Sequence, residues 1–112
     1  MQPFVHLHVH TEYSLLDGAN PVDRLVQAAV ADGHGALALT DHGNLFGAVE
    51  VYGVARAAGV KPIIGCEVYV AHGSRTERVR TADGKGAYDH LVLLARDREG
   101  YRNLMKLSSL GY

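Results

Sequence analysis

The sequence predicts an α/β fold assembled from successive strand–helix units. Short apolar runs of strand length alternate with longer stretches of helical periodicity. Capping and breaking residues separate them, and polar, chemistry-bearing residues collect just beyond the strands. The order reads β-α-β-α-β-loop-β-α, the pattern of right-handed βαβ units around a parallel sheet. With 112 residues there is room for one small domain.

The first expected strand is Phe4–His10. Strand alternation puts Val5, Leu7 and Val9 on one face and His6, His8 and His10 on the other. Imidazoles two residues apart can converge on one metal ion, whereas an apolar core would leave their nitrogens unsatisfied. A solvated edge strand is the plain alternative. The loop Thr11–Ala19 follows, then Asn20-Pro21 starts a helix with Asp23 in its first turn. Val22, Leu25, Val26, Ala29 and Val30 make its apolar face, and Asp32-Gly33 ends it.

Ala36–Leu39 is the second strand, with Thr40-Asp41-His42-Gly43-Asn44 at its carboxyl end. Asn44 is a candidate cap for a helix from Leu45 to Ala58, with Leu45, Ala48, Val49, Tyr52 and Ala55 as its stripe. Pro62–Ala71 is the third strand, in which Gly65 suggests a bulge. A polar loop runs from His72 to Ala87, where Arg75, Arg78, Arg80 and Lys85 outnumber Glu77 and Asp83. A solvated loop explains that charge better than a phosphate-contacting one. His90–Ala95 is the fourth strand, and Asp97 caps a last helix presenting Tyr101, Leu104, Met105 and Ser108. An open parallel sheet and part of a β/α barrel share this pattern, and both place sites at the carboxyl ends of strands.

Composition narrows the class. The chain is 47% hydrophobic with a net charge of −1, so it carries no global basic footprint for nucleic acid or membrane. Bound cations would still allow a nucleic-acid substrate. Cys66 is the only cysteine, which excludes an internal disulfide and suits a reducing cytoplasm. No leader peptide or membrane-length apolar run is visible, so a cytoplasmic protein without a membrane partner is expected.

The chemistry-bearing candidates are His6, His8, His10, Asp17, Asp41, His42, Glu67 and His90. Imidazoles mixed with carboxylates suit Zn²⁺, Mn²⁺ or Fe²⁺ and do not suit Ca²⁺. More than four ligands imply more than one ion, with Glu67 a candidate bridge between two. Such a pair suits phosphoester hydrolysis. Each candidate has a plainer reading. Asp41-His42 is also ordinary turn chemistry, Asp17-Gly18 is a turn signal, and Glu67 could face solvent at an edge. His90 precedes its apolar run, so strand position does not favour it. His34 and His72 read as surface residues, and Cys66 as a packed thiol.

His8-x-His10, Thr40-Asp41-His42-Gly43 and the Glu67 strand resemble the PHP (polymerase and histidinol phosphatase) family. The stretches Phe4–Gly18, Leu39–Gly47, Lys61–Glu67, His90–Ala95 and Glu99–Ser109 resemble the amino-terminal PHP domains of bacterial replicative DNA polymerase III alpha subunits. The resemblance implies part of a distorted β/α barrel, about four βα units over residues 1–112, with the closing units, the polymerase module and the later ligands beyond the chain. It implies a metal set of His8, His10, Asp17, His42, Glu67 and His90, with His6 and Asp41 supporting. His8, His10 and Glu67 are the candidate catalytic members. The implied cofactors are divalent ions, Zn²⁺ or Mn²⁺ with Fe²⁺ an alternative.

The implied activity is 3′–5′ exonuclease or phosphoesterase chemistry within a DNA polymerase, with an amino-terminal fragment inactive alone. DNA, a sliding clamp and a proofreading subunit are the implied partners. A free-standing histidinol-phosphatase-like enzyme and a non-catalytic scaffold that docks a proofreading subunit are the alternatives.

Overall fold

The computed structural model describes residues 4–76 and 88–111. In chain order the elements are α1 (Val22–Ala31), β1 (Ala36–Leu39), α2 (Ala48–Ala57), β2 (Lys61–Ala71), β3 (Tyr88–Leu94) and α3 (Arg98–Leu110). The strands form one sheet in the order β1-β2-β3. β1 and β2 are parallel, with Ala36 opposite Lys61 and Leu39 opposite Ile64, and α2 makes the crossover. β2 then runs antiparallel to β3, from Gly65 opposite Leu94 to Ala71 opposite Tyr88.

An all-parallel sheet was the expectation, and the β2–β3 pair departs from it. Parallel pairing needs a crossover that carries the chain back along the sheet, usually a helix. The sequence between Ala71 and Tyr88 has no helical apolar periodicity, so β3 returns beside β2 as in a hairpin. Residues 77–87 of that connection, with the charges at Glu77, Arg78, Arg80, Asp83 and Lys85, lie outside the described residues.

The segment Phe4–His10 is not a regular strand, which corrects the expected first unit. It lies beside β1: Ala38 N donates to His6 O at 3.1 Å and Thr40 N to Val9 O at 2.8 Å. Three residues therefore span what two span on β1, and the ladder breaks. Thr40 Oγ1 completes it by accepting from Val9 N at 2.8 Å, in place of a backbone carbonyl. The offset also breaks the alternation that would have put His6, His8 and His10 on one face.

The core has two parts. Val26 and Ala29 of α1 meet Leu37, Ala55 and Val60, with Val9, Leu25 and Val54 at the margin. Val22, Leu39, Ala48 and Val51 form the second, flanked by Tyr13, Leu45, Ile64 and Tyr101. On α2 the buried stripe is Ala48, Val51 and Ala55, at helical spacing. Val49 and Tyr52, expected in that stripe, are exposed. Neither expected asparagine caps a helix. Asn20 Nδ2 donates to His10 O at 3.0 Å, and α1 starts after Pro21. Asn44 stabilises the preceding turn, accepting from Phe46 N and donating to Tyr13 O and His42 O, so α2 begins only at Ala48. Asp97 does cap α3, accepting from Gly100 N at 2.9 Å. No helix among the described residues is long and apolar enough to cross a membrane.

Gly65 marks the point where β2 passes from pairing with β1 to pairing with β3. It is not a bulge, since each β2 residue opposes one β3 residue through the register. A Cβ there would lie 2.5 Å from Leu93 O and 2.8 Å from Leu94 Cδ2. The two strands approach too closely for a side chain. Gly65→Ala should therefore lower stability by about 1–3 kcal/mol, the usual cost of overpacking, read as a fall in the thermal unfolding midpoint.

Candidate metal centre

The carboxyl end of β1 is tied to the middle of β2 at one place. Glu67 N donates to Asp41 O at 2.9 Å and Gly43 N donates to Glu67 O at 2.9 Å, forming a single parallel bridge between His42 and Glu67. That bridge sets the His42 and Glu67 side chains next to one another. On the other side of β2, the antiparallel register puts His90 opposite Tyr69, two residues from Glu67 and on the same sheet face. The irregular segment before Thr11 brings His8 and His10 in from the third side.

The loop that carries Asp17 is fixed by Asp41. This fully buried side chain accepts from Thr11 N at 2.6 Å and from Ser14 Oγ at 2.7 Å through Oδ1. Its Oδ2 accepts from Thr11 Oγ1 at 2.8 Å. Ser14 Oγ in turn accepts from His42 N at 3.1 Å, and Ser14 O accepts from Asp17 N and Gly18 N. The turn is so tight that a Cβ on Gly18 would meet Thr11 O at 2.0 Å, so only glycine fits. Nothing in the sequence sets Thr11 and Ser14 apart. Hydroxyl residues in a loop are ordinary, and only their burial beside Asp41 reveals their part.

The result is a cluster centred on Glu67, whose side chain is 3% exposed. Its Oε1 meets His8 Nε2 in a short contact and lies 3.5 Å from His10 Nε2. Its Oε2 lies 2.8 Å from His42 Nδ1 and 2.9 Å from His90 Nδ1. Asp17 Oδ2 closes the far side, 2.8 Å from His42 Nε2 and 3.8 Å from His10 Nδ1. His10 and His42 thus each stand between the two carboxylates, their rings 4.0 Å apart. Burial works against ionisation of Glu67. Hydrogen bonds from His90 and His8, and the positive charge available on His42 and His8, more than offset it and hold its pKa below the ordinary carboxylate value.

All six side chains expected as ligands come together. His6 does not join them; its ring packs against Phe4 and His34 instead. Asp41 faces the loop hydroxyls. His72 is exposed and lies 3.1 Å from Asp89. Cys66, next to Glu67, points to the opposite face of the strand and is buried, with Sγ directed at Asp41 O at 3.5 Å. Burial pushes its thiol pKa up, as suits a packed residue. An apolar groove of about 570 Å³ between α2 and α3, lined by Val49, Tyr52, Pro62, Ile64, Arg98 and Tyr101 among others, shares no lining residue with the cluster.

The donor set fits divalent cations. Among the described residues, His10 Nε2 and His42 Nδ1 are buried and find no hydrogen-bond partner, although each lies close to a Glu67 oxygen. Such unsatisfied buried nitrogens are costly without a partner, and a cation shared with the carboxylate supplies one. Three overlapping groups have ligand atoms within 4.8 Å of one another: His8-His10-Glu67, His10-Asp17-His42 and His42-Glu67-His90.

Comparison with known proteins gives the family. The PHP domain model matches residues 6–112. DNA polymerase III subunit alpha of Treponema pallidum is 57% identical over 97% of this chain, and that of Thermus aquaticus is 54% identical over the same share. The subunit from Aquifex aeolicus is 49% identical over 97% of the chain. The chain spans only 9–10% of the length of these relatives. Among solved structures, an amidohydrolase from Chromobacterium violaceum, with bound sulfate and no metal, superposes with a TM-score of 0.61 at 26% identity. It covers 91% of this chain and 32% of its own. A protein described as a metal-dependent phosphoesterase from Bifidobacterium adolescentis shares the fold, with a TM-score of 0.60 at 17% identity over the same shares.

Asp41→Asn should be strongly destabilising, because the amide can present only one acceptor oxygen to three donors. The expected loss is about 2–3 kcal/mol in denaturant unfolding. Thr11→Val, which removes one of those donors, should cost less.

Proposed function

The chain belongs to the PHP-domain family, and from that premise we propose that it is the amino-terminal part of a bacterial replicative DNA polymerase alpha subunit. In this reading its cluster is a metal-dependent phosphoesterase site that removes nucleotides from a DNA 3′ end. The observation that carries the reading is the buried Glu67 carboxylate, with two imidazole nitrogens at each of its oxygens. The names of the relatives supply the polymerase context. DNA and the other replicase subunits, including a sliding clamp and a proofreading subunit, are the partners that context suggests, and the cytoplasm is the compartment.

His8, His10, Asp17, His42, Glu67 and His90 would hold divalent cations, with Zn²⁺ and Mn²⁺ the best match to the donors. Bound there, the cations supply electrophilic charge beside a phosphate and lower the pKa of water. The chain's own residues set the geometry. Glu67 presents both oxygens from a rigid strand, so groups on its two sides are held at a fixed separation. His10 and His42 stand between Glu67 and Asp17, and their nitrogens that face Glu67, His10 Nε2 and His42 Nδ1, are buried from bulk water. His8, Asp17 and His90 are half exposed and form the open side, through which a phosphodiester can approach. Asp41 holds the Asp17 loop in register with His42 through Ser14.

The test is release of the 3′-terminal nucleotide from single-stranded DNA by the full-length protein in Mn²⁺ or Zn²⁺. Glu67→Ala and His8→Ala should each reduce the rate by roughly a hundredfold or more, with the DNA-synthesis rate as a control for folding. Equal nucleotide release by wild type and both variants would end the hydrolytic reading and leave a scaffold that docks a proofreading subunit.

A further inference from the structure

Beside the cluster lies a group of aromatic rings that the proposed metal chemistry does not use. Tyr69 sits two residues beyond Glu67 on β2, and Tyr88 two residues before His90 on β3. In the antiparallel register Tyr69 opposes His90 and Ala71 opposes Tyr88. Glu67, Tyr69, His90 and Tyr88 therefore share one face of the sheet. The tyrosine rings are 4.7 Å apart between centroids, inclined at 41°. Tyr69 contacts His90 edge-on at 4.8 Å and lies nearly parallel to His42 at 6.4 Å and 29°. Tyr88 also reaches His90, at 5.9 Å.

Both tyrosines are about half exposed, at 51% and 44%. The two adjacent rings, in contact with histidines of the polar cluster, offer an open aromatic face beside it. Large apolar surfaces left open beside a site generally mark a binding surface. A step of two residues along a strand covers roughly 6.5–7 Å. A sugar linking a phosphate at the cluster to its base spans a gap of that order.

We propose that Tyr69 and Tyr88 form a stacking platform for the nucleobase next to the phosphate bound at the Glu67 cluster. The ligand class is a single-stranded nucleic-acid end, held by its phosphate at the cluster and by the flat face of one base on the rings. The proposal rests on the phosphoesterase reading for the position of the phosphate. Stacking on aromatic side chains accepts every base, so the platform recognises that a base is present and not which one. This is what a site that removes any terminal nucleotide requires. Tyr69 is a substrate-positioning residue, braced by His42 and His90.

The test uses the full-length protein with Mn²⁺ and a single-stranded oligonucleotide ending in 2-aminopurine, whose fluorescence is quenched on stacking. Wild type and Tyr69→Phe should quench the probe equally. Tyr69→Leu with Tyr88→Leu should weaken the quenched binding by about tenfold or more, the usual scale for losing an aromatic contact with a base. For nucleotide release, the double variant should raise KM by a similar factor with kcat little changed. On an oligonucleotide with an abasic 3′ terminus, it should match wild type. Unchanged quenching in the double variant overturns the platform. So does an equal loss on normal and abasic ends, which would mark a purely structural role. If wild type releases no nucleotide but the double variant still loses quenching, the hydrolytic reading fails and the platform stands.

Discussion

One buried carboxylate dictates the arrangement of this molecule. Glu67 lies on the central strand, at the bridge where the turn after β1 meets β2, and an ionised group there is costly without compensation. The fold compensates by surrounding it with His8, His10, His42 and His90. Every irregularity nearby serves that convergence. The offset before Thr11 turns His8 and His10 inward, and the single bridge at His42 lets the chain leave β1 without moving that ring away. The switch at Gly65 allows β3 to approach closely enough to deliver His90.

The scaffold around the cluster is a polar hydrogen-bonded network. Asp41 ties the Thr11–Gly18 loop to the end of β1, and through Ser14 it reaches the His42 backbone. Charged hydrogen bonds of this kind are stronger than neutral ones and directional. They hold Asp17 opposite Glu67, with His10 and His42 between. The apolar core on the other side of β1, where α1 and α2 pack, keeps the strand itself in place. Structure thus separates into a dry half that sets position and a histidine-rich half that offers chemistry.

Much of this was legible in the sequence, and what was missed has physical causes. Helical periodicity located α1, α2 and α3, and Asp97 capped α3 as its chemistry suggests. The asparagines at 20 and 44 misled, because their amides satisfy the neighbouring loop instead of a helix end. Phe4–His10 reads as a strand by alternation, but pairing depends on what β1 offers, and Thr40 offers a hydroxyl where a ladder needs a carbonyl. Strand direction is also a long-range property. Nothing local to Tyr88–Leu94 says whether it runs with or against β2. His8, His10, His42 and Glu67 were visible from residue type and place. Asp17 and His90 rested on family resemblance alone, since a turn aspartate and a histidine at a strand start carry no distinguishing signal. Thr11, Ser14, Tyr69 and Tyr88 became apparent only in three dimensions.

In the proposed reading the Glu67 cluster holds more than one divalent ion, and metal stoichiometry tests this most directly. The full-length protein, purified without chelator and equilibrated with Zn²⁺ or Mn²⁺, would be dialysed and its bound metal counted by elemental analysis beside a Glu67→Gln variant. More than one ion per chain is expected in the wild type, with a clear loss of bound metal in the variant. A wild type that retains no divalent ion, or a variant that retains as many as the wild type, would contradict it.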